Sequence, residues 1–261
     1  MIRERSREER LPFEKRWRGR FQEYAELFDD DAGIAGWSVT GLDARVRRFL
    51  HLWNPGKVGR IWLDAGCGAG TYTRILTRHG LQVVAVDYSL PTLRKAAARG
   101  LDSAALAAAD VCRLPFRRET FDGVVCFGVT QALADSRAVA RELVTQVKPG
   151  GELWLDALNR WCVVHAYELL KRRLRGHPFH LRYESPAHLM RLLRDEGFAK
   201  VRLHWMPILP SRWYGLQSLV ESRLAGLALR AVPLLGLLVS HAFIIQASKA
   251  PADAASSESP A

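Results

Sequence analysis

Cysteine is scarce in this sequence, and the cysteines that occur follow no recognisable spacing. Among 261 residues there are four, namely Cys67, Cys112, Cys126 and Cys162. No two of them form a C-x-x-C pair, and none stands at zinc-ligand spacing with a histidine. The sequence therefore gives no indication of a disulfide framework or a zinc site. Buried free thiols in a reducing cytoplasm are the simplest interpretation.

Long uninterrupted apolar runs are also missing. The N-terminus is densely charged and lacks the apolar segment of a secretory signal. The most apolar stretch, residues 224–245, is interrupted by Arg230 and Pro233, so it does not predict a membrane-spanning helix. The sequence favours a cytoplasmic protein.

Acidic residues are too few to balance the basic ones. The 27 aspartates and glutamates face 38 lysines and arginines, which gives a formal net charge of +11. Such a charge suits an anionic partner, for example nucleic acid, anionic lipid or a phosphorylated substrate. Lysine is scarce and arginine abundant, however, so general arginine-rich usage explains the charge equally well. The hydrophobic fraction of 48% is ordinary for a soluble domain with a sizeable core.

A strand, a glycine-rich turn and a helix are predicted in succession over residues 61–79. The turn reads D-x-G-x-G-x-G from Asp64 to Gly70. The dinucleotide-binding fingerprint G-x-G-x-x-G would need a third glycine where Thr71 stands, so that fingerprint fails. Glycines in such a turn allow tight folding and let a ligand lie against the backbone at the start of a helix.

The D-x-G-x-G-x-G turn resembles motif I of the class I S-adenosylmethionine (SAM)-dependent methyltransferases. The resemblance continues along the chain. A buried strand ends on Asp87, 21 positions after Gly66, and residues 109–116 read A-D-V-C-R-L-P-F, similar to the segment that follows strand 3 in the family. Residues 120–128 contain the F-D-x-V pattern of strand 4.

The resemblance implies a binding site for SAM. In the family, the residue that matches Asp87 holds the ribose, the residue that matches Asp110 accepts a hydrogen bond from the adenine amino group, and the next backbone N–H, here that of Val111, contacts the adenine ring. The remaining cofactor-binding positions implied by the resemblance lie in the loop and at the ends of the strands, namely Asp64, Gly66, Cys67, Gly68, Gly70, Tyr88 and Phe127. Cys126 lies within a predicted strand and is expected in the core.

The alternation of strands and helices predicts an α/β fold with a Rossmann-like seven-stranded sheet, mostly parallel with an antiparallel last strand, flanked by helices. Residues 55–249 form the predicted methyltransferase domain, after an N-terminal arm and cap helices (1–54) and before a disordered tail (250–261). Within the N-terminal part, residues 1–20 are expected as a frayed arm or a solvated helix. Tyr24, Phe28 and Trp37 are candidate pocket walls.

Two insertions, at about 159–183 and 207–240, fall outside the resemblance and are expected to select the methyl acceptor. The first contains His165, His177 and His180, each a candidate general base because imidazole titrates near neutrality; exposed loop histidines are the alternative. The second insertion predicts either a helix that completes the acceptor pocket or an amphipathic surface on a bilayer. In the latter case Trp205, Arg212, Trp213 and Tyr214 would lie at the interface. A metal site is not expected, because Ala157 follows Asp156 where metal-dependent O-methyltransferases have an Asp-Asn pair.

As a whole, a sequence of this type, with proline- and aromatic-rich insertions, resembles the quinone-biosynthesis-like small-molecule methyltransferases of the methyltransferase-11 type. The expected reaction is therefore methyl transfer from SAM to a small-molecule, lipid-linked or saccharide-linked acceptor, by O-methylation with C-methylation left open. Peripheral contact with the anionic inner face of a membrane is a further expectation. Three alternatives are an RNA-modifying methyltransferase, a non-catalytic SAM-binding protein and an NAD(P) oxidoreductase. The first would explain the charge, but no RNA-binding module is recognisable, so nucleic acid is not the expected partner.

Overall fold

The computed structural model of the protein describes residues 7–101, 103–177, 181–209 and 211–252. A single seven-stranded sheet forms its centre. The strands are β1 (Ile61–Ala65), β2 (Gln82–Asp87), β3 (Ala104–Ala108), β4 (Phe121–Cys126), β5 (Val147–Leu158), β6 (Phe198–Met206) and β7 (Ala242–Lys249). Their order in the sheet is β3-β2-β1-β4-β5-β7-β6. β1 to β5 pair in parallel, whereas β7 is antiparallel to both β5 and β6. This topology confirms the predicted fold class.

Helices surround the sheet. They are α1 (Arg7–Leu27), α2 (Asp31–Ile34), α3 (Val39–Leu52), α4 (Thr71–Arg78), α5 (Leu90–Ala98), α6 (Ser136–Gln146), α7 (Val163–Leu174), α8 (Pro186–Asp195), α9 (Gln217–Val220), α10 (Arg223–Ala231) and α11 (Pro233–Val239). Two short 3₁₀ segments, Thr130–Ala132 and Ser211–Leu216, complete the secondary structure. None of the helices described is long and apolar enough to cross a membrane.

The central strands are buried on both faces, as their near-continuous apolar sequence predicts. Successive residues of β4 show this directly: Val124 belongs to one hydrophobic cluster and Val125 to the other, because side chains alternate across a strand. Cys126 is fully buried, as expected, and burial raises the pKa of its thiol well above the usual value. β5 begins at Val147, which pairs with Phe121 ahead of a register shift in the ladder.

The N-terminal helix is more ordered than the sequence analysis expected. Of the two predicted forms, a frayed arm and a solvated helix, the segment adopts the helix, but one side of that helix is buried. Phe13 and Trp17 are 5% and 8% exposed and pack against Ala132 and Ala134. The dense charge of this segment conceals an apolar stripe at four-residue spacing, Phe13, Trp17, Phe21 and Ala25, which is the pattern of a packed helix.

Both insertions form helices, α7 in the first and α9 to α11 in the second. Most of the predicted disordered tail, residues 253–261, lies outside the described part of the chain. The division into an arm, a methyltransferase domain and a tail therefore stays a prediction.

Candidate cofactor and acceptor site

A cleft that is open to solvent lies at the carboxyl ends of β1, β2 and β4. Ligands of doubly wound sheets bind at this edge, where the strand order reverses on either side of β1. The lining residues come from six segments of the chain: Glu14, Trp17, Arg18 and Phe21; Ile34 and Ala35; Gly66 and Gly68; Asp87, Tyr88, Ser89 and Thr92; Asp110 and Val111; and Gly128, Val129, Ala132 and Leu133.

The three glycines of the turn have different physical reasons to lack a side chain. All three have φ in the left-handed region, at 79°, 54° and 85° for Gly66, Gly68 and Gly70. A Cβ on Gly66 would lie 2.3 Å from Cγ2 of Val129, and one on Gly70 would lie 2.3 Å from Cδ1 of Leu101. A Cβ on Gly68 would meet nothing within 4 Å. Gly66 and Gly70 are thus required by packing, whereas Gly68 presents bare backbone to the open cleft.

The turn is hydrogen-bonded to the end of β2. The backbone N–H groups of Gly66 and Cys67 donate to the carbonyl oxygen of Val86 at 2.8 and 2.9 Å. The thiol of Cys67 is buried, and burial raises its pKa well above the usual value. Cys67 therefore contributes to the shape of the turn, and its side chain does not line the cleft.

Asp87 is held firmly at the tip of β2. Its Oδ2 accepts a hydrogen bond from Gly68 N at 2.9 Å and its Oδ1 accepts one from Ser89 N at 2.8 Å. A carboxylate offers about four lone pairs, so each oxygen can accept one further hydrogen bond. Burial raises the pKa of Asp87, and these backbone N–H groups act in the opposite direction. The side chain of Ser89 caps the N-terminus of α5.

Asp64 lies beneath the turn and is absent from the cleft lining. Its carboxylate is 1% exposed and accepts a hydrogen bond of 2.6 Å from the Thr73 hydroxyl. Burial is the main reason that the pKa of Asp64 is raised to about 7, against the lowering effect of that hydrogen bond. Asp64 thus ties the turn to α4, so direct contact of this carboxylate with a ligand is not what the structure indicates.

Asp110, Val111 and Tyr88 line the other end of the cleft, next to α1. Asp110 Oδ1 accepts from Cys112 N at 2.9 Å, and its Oδ2 pairs with Arg18 Nη2 at 2.6 Å. The guanidinium carbon of Arg18 also lies 4.1 Å from the centroid of the Tyr88 ring, in cation–π geometry. Both pairs are partly exposed. Arg18 therefore covers the two side chains that the resemblance assigned to the cofactor.

The cleft wall formed by α1 is the part that the sequence analysis missed. Trp17 and Phe21 supply the aromatic surface, whereas the candidates Tyr24, Phe28 and Trp37 are absent from the lining among the described residues. Trp37 packs instead behind Gly128, where an added Cβ would lie 2.4 Å from its ring. The apolar stripe of α1 is the feature of the sequence from which this wall could have been predicted.

A buried ion pair supports the end of β4. Arg45 on α3 donates from Nε to Asp156 Oδ2 at 2.7 Å, and the two side chains are 3% and 0% exposed. The other oxygen, Oδ1, accepts from Gly128 N at 2.6 Å. The guanidinium carbon of Arg45 also lies 4.2 Å from the centroid of the Trp37 ring, in cation–π geometry. This network fixes the backbone of Gly128, which lines the cleft.

Phe127 lies just before that glycine and faces the core. Its ring centroid is 4.4 Å from that of Tyr72 and 5.5 Å from that of Phe49. Phe127, like Asp64, Cys67 and Gly70, supports the cleft from below without lining it.

The candidate histidines do not converge on the cleft. For His165 the alternative of an exposed loop residue is wrong, because it lies on α7 and is 4% exposed. Its ring centroid lies 4.4 Å from that of Tyr183 and 4.1 Å from that of His241. His177 is exposed, and His180 lies outside the described residues. Among the described residues that line the cleft there is no histidine. Within the described chain there is also no group of three His, Cys, Asp or Glu residues placed to hold a metal ion.

Comparison with known proteins agrees with this geometry. A family model described as a methyltransferase domain matches residues 63–155. The chain is 30% identical over 172 residues to the ubiquinone biosynthesis O-methyltransferase of Chromobacterium violaceum, an alignment that covers 60% of this chain and 73% of that protein. It is 26% identical over 183 residues to the protein of the same name from Aliivibrio fischeri, covering 61% and 78%.

A solved structure shares the fold. The phosphoethanolamine N-methyltransferase 2 of Haemonchus contortus, in complex with S-adenosylhomocysteine, matches with a TM-score of 0.56 and 20% identity, over 79% of this chain and 52% of that one. The chain belongs to the class I SAM-dependent methyltransferases. It is an enzyme of that class, and SAM is its cofactor.

Proposed function

We propose that the protein methylates a hydroxyl oxygen on a small-molecule or lipid-linked acceptor. The observation that carries the proposal is the cleft itself, with bare backbone at Gly68 beside the carboxylate of Asp87 and with aromatic walls from α1. The relatives named ubiquinone biosynthesis O-methyltransferases support transfer to oxygen. They also favour an acceptor of the quinone-precursor type.

The residues of the cleft fit the cofactor. Asp87 has one unused acceptor position on each oxygen, which suits the two neighbouring hydroxyls of a ribose. Gly68 lets the amino-acid end lie against the backbone because nothing occupies the space beside its Cα. Asp110 and the backbone of Val111 would hold the adenine, and Tyr88 would lie beside it.

Adenine and Arg18 would compete for the same carboxylate oxygen. Asp110 Oδ2 already pairs with Arg18, and this pair is partly exposed, so its contribution to stability is modest. We propose that the arginine is displaced from Asp110 when the cofactor binds, while the aromatic residues Trp17 and Phe21 continue to close the cleft from above.

Positioning and exclusion of water account for catalysis by this chain. When bound, the cofactor supplies a methyl group that is already activated on a sulfonium sulfur. The protein's part is to hold that group and an acceptor oxygen in line, within a cleft whose walls are largely apolar. No histidine is among the described residues that line the cleft, and the proposal assigns no general base.

Methyl transfer should be detected by incubating the full-length protein with SAM that carries an isotopically labelled methyl group. We expect the label to enter a lipid-soluble phenolic acceptor, for which mass spectrometry would show a gain of one methyl group on oxygen. A parallel incubation with tRNA should incorporate no label. Label in the tRNA and none in the phenol would favour the RNA-modifying alternative. Binding of S-adenosylhomocysteine without transfer to any acceptor in a lipid extract would contradict the proposed acceptor class.

A further inference from the structure

The two insertions carry most of the large apolar side chains that are exposed among the described residues. On α7 these side chains form one stripe, consisting of Val163, Val164, Tyr167, Leu170 and Leu174. On α10 and α11 they are Leu224, Leu227, Leu234, Leu235, Leu238 and Val239. Leu224 and Leu174 are 80% and 79% exposed, values that are unusual for leucine in a packed helix. We call these side chains the insertion face.

The helices that carry the insertion face contact one another, although they come from separate insertions. α7 packs against α11, and α11 packs against α10. Asn159, at the start of the first insertion, is fully buried and donates from Nδ2 to the carbonyl oxygens of Leu237 and Ser240, at 2.6 and 2.8 Å. None of the described residues of the second insertion lines the cleft, so the expectation that it completes the pocket receives no support.

The charges around the insertion face are almost all positive. Lys171, Arg172, Arg173 and Arg175 lie at the end of α7, and Arg223 begins α10. Glu168 is the one acidic residue between positions 159 and 182, and the sequence from 223 to 239 has none. An exposed apolar face bordered by arginine and lysine is the pattern of helices that lie in the interface of an anionic bilayer.

We infer that the insertion face docks on an anionic lipid bilayer. The positive charge around the insertion face favours a bilayer over a second copy of the chain as its partner. Two copies joined face to face would bring like charges together, whereas anionic headgroups neutralise them. The apolar side chains would enter the boundary between headgroups and acyl chains, and the basic end of α7 would lie among the phosphates. This inference does not depend on which acceptor is methylated.

Vesicle flotation with the full-length protein tests the docking. We expect binding to vesicles of phosphatidylcholine mixed with phosphatidylglycerol, little binding to phosphatidylcholine alone, and release at high salt. The double variant Leu174→Glu/Leu234→Glu should reduce the partition coefficient by at least about 100-fold, because two leucines lose their apolar contact with lipid. The matched control is Leu27→Glu, since Leu27 is 66% exposed on α1, outside the insertion face; it should bind vesicles like the unaltered protein.

Two results would overturn the docking. One is equal binding of the double variant and the unaltered protein to anionic vesicles. The other is a dimer in sedimentation velocity that the double variant dissociates, together with no vesicle binding, which would assign the face to a second copy. Binding of S-adenosylhomocysteine should be unchanged in all variants, which shows that they fold. Failure of docking alone leaves the methyl-transfer proposal intact.

Discussion

Replacing Asp87 with alanine is expected to weaken the binding of S-adenosylhomocysteine by about a hundredfold or more. Two hydrogen bonds from ribose hydroxyls to a carboxylate contribute about 1.5–3 kcal/mol each, and a loss of about 3 kcal/mol raises the Kd roughly 100-fold. The variant also releases Gly68 N, which Asp87 now holds at 2.9 Å. Isothermal titration calorimetry measures the Kd directly.

The control for this variant is Asp195→Ala, at an exposed position near the end of α8. This variant also removes one carboxylate, but at a residue that does not line the cleft, so it should leave the Kd unchanged. Asp87→Asn, which keeps one acceptor oxygen, should fall between the two. If Asp87→Ala binds the ligand as tightly as the unaltered protein does, the ribose is held by other groups.

The Arg45–Asp156 pair should show the largest effect on stability. Replacing Arg45 with leucine leaves a fully buried carboxylate without its cation, and breaking a buried pair in this way typically costs about 3–5 kcal/mol. We expect a fall of that size in the free energy of unfolding, measured by chemical denaturation. Because Asp156 also holds Gly128 N, the same variant should weaken binding in the cleft.

The double variant Arg45→Leu/Asp156→Leu tests whether the loss in the free energy of unfolding comes from the unpaired charge or from altered packing. It removes both charges, so it should be more stable than Arg45→Leu alone. An exposed pair serves for comparison: Arg141 contacts Glu196 at 2.6 Å but is 64% exposed, so Arg141→Leu should cost about 1 kcal/mol at most. A loss for Arg45→Leu no larger than for Arg141→Leu would show that the buried pair contributes little.

Much of the sheet could be predicted from the sequence because its signals are local. β2 ends on Asp87, as predicted, and the last strand is antiparallel, as expected. Gly66, Gly68, Asp87, Asp110 and Val111 all line one cleft, since the carboxyl ends of neighbouring parallel strands meet at one edge. The cofactor roles of these residues stay predictions.

The remainder depends on contacts between residues far apart in the chain. Arg45 and Asp156 are separated by 111 positions, and Arg18 and Asp110 by 92, so no local pattern announces either pair. Sequence similarity also does not distinguish a residue that lines the cleft from one that supports it. Asp64 and Phe127 match the family pattern, yet the first binds Thr73 and the second packs on Tyr72.

A crystal structure of the full-length protein with S-adenosylhomocysteine tests the central claim most directly. We expect both ribose hydroxyls within hydrogen-bonding distance of the Asp87 carboxylate, and the amino-acid end along the backbone at Gly68. The adenine amino group should lie at Asp110, with Arg18 moved away from Oδ2. A ligand bound elsewhere, or bound in this cleft with its ribose out of reach of Asp87, would contradict the account.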